Sequence, residues 1–394
     1  MPIRSILSAM VFGIIFATNA RADAPVPALP WLHEGIIITN TWYAAVAPGT
    51  GSIFHEDEQG NWFDPSTGQH FNREERHGTS GSGWTQSTIA AIDGDKVVIC
   101  NQSFGDAGVL GNNAPVPLQG GTSMVTSVHQ AGDLWTDPAA LANLHSNPPN
   151  LDVSQVSWKS PDKVYDAIRV QTFGEGGYTD HVYDRKTGLC IHFASASRGN
   201  QVPRELAPGE TAQGDLTLTH GDFVSLRDLN IPWAAQPMPD AAAHFQSLHF
   251  TGQTTSRGPL PTVPNQITLD AQVTDRGNGW VALTATSTMQ MQGAPAIPPS
   301  TSQLAFGRAQ FNGLWIPPAA LSKLHEGQVL DDDPTTHMQL VVKKVDGNSV
   351  QMSQSNAAGE IDSVYNTQSG MLIESGFYNV LSKQQLVLRL AGQN

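Results

Sequence analysis

The sequence predicts a mainly β protein made of two tandem β-rich modules. Each module is antiparallel sheet, sandwich or half-barrel like, with one short helix, and the two are related by internal duplication. Three observations predict this: a twelve-residue string that occurs twice, a hairpin string that recurs at nearly the same offset, and short alternating runs rich in Val, Ile and Thr through most of the remainder.

The first string is Leu134-Trp135-Thr136-Asp137-Pro138-Ala139-Ala140-Leu141-Ala142-Asn143-Leu144-His145. It recurs as Leu314-Trp315-Ile316-Pro317-Pro318-Ala319-Ala320-Leu321-Ser322-Lys323-Leu324-His325, with eight of twelve positions identical at an offset of 180. Pro138 and Pro318 suit the first turn of a helix, where an amide hydrogen has no helical partner anyway. Leu141 and Leu144, like Leu321 and Leu324, stand three apart on one helix face, and the preceding Trp is expected beneath it.

The second string, Asp180 to Leu189, recurs as Asp362 to Met371 at an offset of 182. It reads as a hairpin whose turn ends on Gly188 or Gly370, residues that can take positive φ. The spacing aromatic-Asp-x-x-Thr-Gly also occurs at Phe63 to Gly68, so it is a turn signature and not a catalytic Asp-Thr-Gly.

Alternating runs predict strands at Gly35–Ala45, Trp84–Ala91, Lys96–Gln102, Met124–His129, Lys163–Phe173, Gly188–Ala196, Asp215–Leu229, Phe245–Thr251, Gln266–Val273, Trp280–Met289, His337–Val345, Ser349–Ser355, Met371–Val380 and Gln384–Leu390. Only the two Pro-Ala-Ala runs read as helix. The division expected is a leader at 1–22, a first module at 23–213, a connector at 214–244 and a second module at 245–394.

Residues 1–22 read as a secretory signal peptide. Arg4 supplies the charge, Ile6 to Ala17 the apolar stretch, and Ala20-Arg21-Ala22 the small-x-small cleavage pattern. The product is expected in the periplasm or outside the cell. In an oxidising compartment two thiols are expected to pair, which predicts a Cys100–Cys190 disulfide.

Thirty-five acids against 21 Lys and Arg give a net charge of −14, which argues against a nucleic-acid partner. No later window resembles a transmembrane helix. No phosphate loop, Gly-x-Ser-x-Gly or His-Glu-x-x-His is present. His77-Gly78-Thr79 and Gly121-Thr122-Ser123-Met124 imitate subtilase strings, but the 46 residues from His77 to Ser123 leave no room for the crossover helices such a core needs.

If function broke the symmetry of the copies, it would show in an unshared segment, and residues 55–77 have no counterpart of similar length after Phe250. They hold His55, His70 and His77 with six acids, Glu74 among them. Imidazole with carboxylate suits a divalent metal or general acid/base work; the plain alternative is a solvated, charged hairpin. Asp331-Asp332-Asp333 is a second acidic cluster, read as an exposed turn or a calcium loop. Among nine Trp, those at 31, 62 and 233 lie beside Pro or acidic turns, so Trp31, Trp62 and Trp233 are the candidates for an exposed ligand-stacking role.

Three readings follow. The leading one is a secreted, non-catalytic β protein that binds an apolar or polymeric ligand (lipid or glycan) against a sheet face. The second is a secreted, metal-assisted hydrolase using residues 55–77. The third is a structural or assembly protein of the envelope.

Overall fold

The computed structural model describes residues 29–47, 55–56, 62–64, 69–71, 79–105, 116–117, 122–161, 163–174, 177–198, 216–256, 265–290, 298–357, 359–379 and 383–393. The chain opens with β1 (Ile36–Ala47), followed by a separate three-stranded sheet of β2 (His55–Glu56), β3 (Trp62–Asp64) and β4 (Gln69–Phe71). Next come β5 (Thr79–Asp93), β6 (Lys96–Gly105), the side strand β7 (Val116–Pro117), β8 (Thr122–Ser127), β9 (Gln130–Ala131) and β10 (Trp135–Thr136). Helix α1 (Pro138–Ala142) leads to β11 (Leu151–Lys159), β12 (Val164–Gly174), β13 (Gly177–Asp184), β14 (Cys190–Arg198) and β15 (Leu216–Asp228). Helix α2 (Asp240–His244) precedes β16 (Ser247–Ser256), β17 (Asn265–Gly277), β18 (Trp280–Gln290) and β19 (Ser300–Gly307). Helix α3 (Pro318–Leu321) is followed by β20 (Val329–Asp332), β21 (Gln339–Val345), β22 (Ser349–Asn356), β23 (Gly359–Asn366), β24 (Leu372–Asn379) and β25 (Gln384–Gln393).

Two large antiparallel sheets result, and they share one topology. The first runs β8-β6-β5-β1-β15-β14-β13-β12-β11, and the second runs β19-β18-β17-β16-β25-β24-β23-β22-β21. Nine strands of one copy therefore match nine of the other in the same order. In each copy the first strand pairs with both the second and the last, so the meander forms one continuous open sheet that is interrupted at one seam, between the fourth and fifth strands. The chain crosses that seam through α1 or α3. The first copy adds β9 and β10 at the seam; the second adds β20.

The repeated strings sit at equivalent places. Trp135 bridges Leu189, and Trp315 bridges Met371. Thr136 N donates to Gly188 O at 2.9 Å, and Ile316 N to Gly370 O at 2.8 Å. The bulge between Val182 and Tyr183 recurs between Val364 and Tyr365. Gly188 and Gly370 have φ of +72° and +74°, and a Cβ on either would stand 2.1 or 2.4 Å from a backbone carbonyl oxygen. Both the dihedral and the space thus require glycine.

Alternation along β1 explains the core. Ile36 and Ile38 face one way, packing with Ile89, Val97, Ile99, Trp135 and Leu189. Ile37 faces the other way and joins the core of the second copy, beside Leu229, Ile231, Trp233, Leu314 and Trp315. Between the copies, Gly307 lies against Ala90, whose carbonyl oxygen accepts from Ala309 N at 2.8 Å. Arg308 holds Glu34 at 2.7 and 3.0 Å, and Lys96 meets Asp275 at 2.9 Å.

Two expectations change. Cys100 and Cys190 are free thiols, so the predicted disulfide is absent. Cys100 lies at the contact between the copies and donates to Gln310 Oε1 at 2.8 Å, whereas Cys190 packs with Leu141, Val170 and Tyr183. A third short helix, α2, forms where an Asp-Ala-Ala-Ala-His run had read only as a connecting surface. Within 214–244 the expected strand forms as β15 and pairs with β1. Among the described residues no helix is long and apolar enough to cross a membrane.

Candidate functional site

His55, Trp62 and His70 lie on the three-stranded sheet, where His55 pairs with Phe63 and Phe63 with His70. Glu74 and His77 fall outside the described residues. Among the described residues no group of three His, Cys, Asp or Glu is placed to hold a metal ion. Trp233, expected at the surface, is fully buried, and its indole N–H donates to Gln310 O at 3.3 Å. Trp31 is half-buried: it packs edge-on against Trp135 and donates to Thr187 O at 2.8 Å.

The Asp331–Asp333 run is neither an exposed turn nor an open cation loop. Asp331 takes Arg227 with both oxygens, at 2.9 and 2.8 Å. Asp333 is buried and accepts from the Gln86 amide, from the Thr336 hydroxyl and from Thr335 N at 3.0 Å. Donors already occupy these oxygens, and the run clamps the second copy onto β5 and β15 of the first.

A different cluster appears once the registers are followed. Residues directly opposite on paired strands share a face. Tyr43 lies opposite His220, Asp222 opposite His192, His192 opposite Val182, Val182 opposite Arg169, and Asp180 opposite Gln171. One face of β1, β15, β14, β13 and β12 thus carries Tyr43, His220, Asp222, His192, Asp180 and Arg169 together.

Side-chain geometry ties them into two groups. In one, the Trp158 ring lies 4.7 Å from that of His192 at 32°. His192 Nδ1 meets Asp222 at 2.7 Å, and Tyr43 lies 5.1 Å from His220. In the other, Arg169 grips Asp180 through two nitrogens, while Tyr178 donates to the same carboxylate at 2.8 Å and Gln171 at 3.2 Å. Burial opposes the Arg169 charge, but the Asp180 carboxylate outweighs it and holds the guanidinium protonated well past its usual range. Burial, then the Asp180 charge, pushes the Tyr178 phenol up, so it remains a donor.

The second copy lacks this set. By the same registers, His192 corresponds to Glu374, Asp222 to Arg389, His220 to Val387, Tyr43 to Gln253 and Arg169 to Gln351. Strand β21 ends at Val345, the counterpart of Gln155, short of the Trp158 position. Only Asp180 keeps its identity, as Asp362.

No protein-family model matches the chain, and neither does any curated protein. Among solved structures, a protein of unknown function from the DUF3598 family of Nostoc punctiforme pairs with it over 91% of this chain and 96% of that one, at 10% identity and a TM-score of 0.14.

Proposed function

We propose that this is a secreted, non-catalytic β protein that binds a glycan on the Trp158–His192–Tyr43 face of its first sheet. The observation that carries the reading is that aromatic rings and hydrogen-bonding imidazole and carboxylate groups gather at these positions of the first sheet and not at the matching positions of the second. The second sheet, which matches the first over nine strands, puts Gln253, Val387, Glu374 and Arg389 there. Rings such as Trp158 and Tyr43 offer flat apolar surface to the C–H face of a sugar, and the exposed Asp222 carboxylate, steadied by the buried His192, suits its hydroxyls. A lipid chain fits less well, because it would strip water from these charged groups without replacing their hydrogen bonds. The leader at 1–22 supports export to the periplasm or beyond, where polymeric glycans are found.

The test is a glycan panel screened against the purified protein, followed by calorimetry on the hits with Trp158→Ala and His192→Ala. At least one glycan should bind, and each variant should weaken it by about tenfold or more. A protein that binds none, or variants that bind as tightly as the parent, would end the reading.

A further inference from the structure

A second difference between the copies lies in the groove between α1 and the turn that follows β13. The groove encloses about 320 Å³, within the range of small-molecule sites. Its apolar floor is Leu141 and Ile168, and its charged wall is Asp166, Asp184, Arg185 and Lys186. In the second copy the floor persists as Leu321 and Val350. All four charges are gone, replaced by Asn348, Asn366, Thr367 and Gln368. The match is fixed by shared hydrogen bonds: Arg185 N donates to Asp166 O at 3.1 Å as Thr367 N does to Asn348 O at 3.0 Å, and Gly188 N donates to Asp184 O as Gly370 N does to Asn366 O.

The turn does not need the charge. Asn366 Oδ1 accepts from Gln368 N at 3.0 Å and Ser369 N at 2.8 Å. Asp184 does the equivalent work, accepting from Thr187 Oγ1 at 2.6 Å and Lys186 N at 3.4 Å. A carboxylate buried as Asp184 is costs more to desolvate than an amide, so its presence calls for a reason beyond the turn. Arg185 and Asp166 neutralise each other at 2.9 Å. That leaves the Asp184 carboxylate and the Lys186 ammonium, which among the described residues has no acidic partner, above an apolar floor.

We propose that this groove binds a small zwitterion with an apolar side chain, an amino acid or dipeptide with free termini. Its ammonium sits at Asp184, its carboxylate at Lys186 and its side chain on Leu141 and Ile168. A purely anionic amphiphile would meet Asp184, and a cationic one Lys186, so charge complementarity selects the zwitterion.

The probe is free Leu-Leu, titrated by calorimetry beside its N-acetyl and C-amide forms. Free Leu-Leu should bind, and either blocked form should bind about tenfold or more weakly. The double variant D184N/K186Q copies residues the second module already uses in the same turn, and should lose binding to the same extent with an unchanged melting temperature. Should the double variant fold poorly, Lys186→Gln alone, at an exposed position, serves the same comparison. The proposal is overturned if free Leu-Leu does not bind, if a blocked form or octanoate binds as well, or if the folded variant binds like the parent.

Discussion

Asp180 and Asp362 occupy the same position in the two copies, yet only Asp180 faces an arginine. Asp180 is closed in by Arg169, Tyr178 and Gln171. Asp362 stands opposite Ser353, with Glu360 and Glu374 as neighbouring charges and Lys343 as the compensating one. One carboxylate is therefore anchored and the other is held against its own ionisation.

For Asp362 the sign is definite. Burial, then the Glu360 charge, raises its pKa in the folded chain above its ordinary value, against the smaller opposing effects of the Ser353 hydrogen bond and the Lys343 charge. At acid pH, below the unfolded value, the group is neutral in both states and no stability is lost. As pH rises through the folded value, the folded state gives up stability relative to the unfolded one. Asp362→Asn should therefore raise the melting temperature at about pH 7 and leave it unchanged at about pH 3. Equal shifts at both pH values, or a fall at neutral pH, would contradict this.

Arg169→Gln copies the second module's residue but strands a buried carboxylate. A loss of about 3–5 kcal/mol in denaturant unfolding is expected, as for other broken buried pairs. Adding Asp180→Asn to the same chain should recover most of it. If Arg169→Gln alone costs under about 1 kcal/mol, the pair is not what holds this face together.

Trp135→Ala and Trp315→Ala should cost similar amounts, about 3–5 kcal/mol each, because both rings are almost wholly buried at matching seams. The hydrogen bonding differs: Trp135 Nε1 donates to Val128 O at 3.0 Å, while Trp315 Nε1 is buried without a partner among the described residues. Of the two, Trp135→Ala should be the more damaging, measured by the same denaturant titration.

The thiols give the fourth test. Burial pushes Cys100 up to about 12 and Cys190 well above its ordinary value, so neither is thiolate at neutral pH. The native protein should react slowly with a thiol reagent, both cysteines should react on unfolding, and reductant should leave the melting temperature unchanged. An intact mass lower by two hydrogens would show the disulfide that the fold does not contain.

Much of the architecture was legible, because duplication leaves identities that survive wherever a backbone demand is strict. Gly188 and Gly370, and the Trp and Leu residues at the seams, are such positions. What was missed had physical reasons. Strand β11 carries Val153 and Val156 on opposite faces, so its alternation changes phase and reads as neither strand nor helix. Strand β5 begins in a glycine-rich run that looks like loop; yet a Cβ on Gly83 would stand 1.8 Å from Phe104 O, so glycine is what lets β5 and β6 approach. The site was the least legible part. Its residues are spread over six strands, and β14 and β15 share too little with β24 and β25 for His192 to be set against Glu374 without the registers. The reasoning that function lies where the copies differ led to the insertion at 55–77; the differences on β12–β15 are substitutions within a matching frame, which leave no such gap in the sequence to notice. The cysteines failed for another reason: compartment says when thiols can join, and only proximity says whether they do.

Ile37 carries a consequence for cutting the chain in two. A residue from the first half completes the interior of the second, and Gly307 abuts Ala90 so closely that no side chain fits between. The two halves thus share part of one interior rather than closing separately. Expressed alone, the second half would display a greasy scar where Ile37, Leu229 and Ile231 belong, and it would clump rather than behave as a tidy domain.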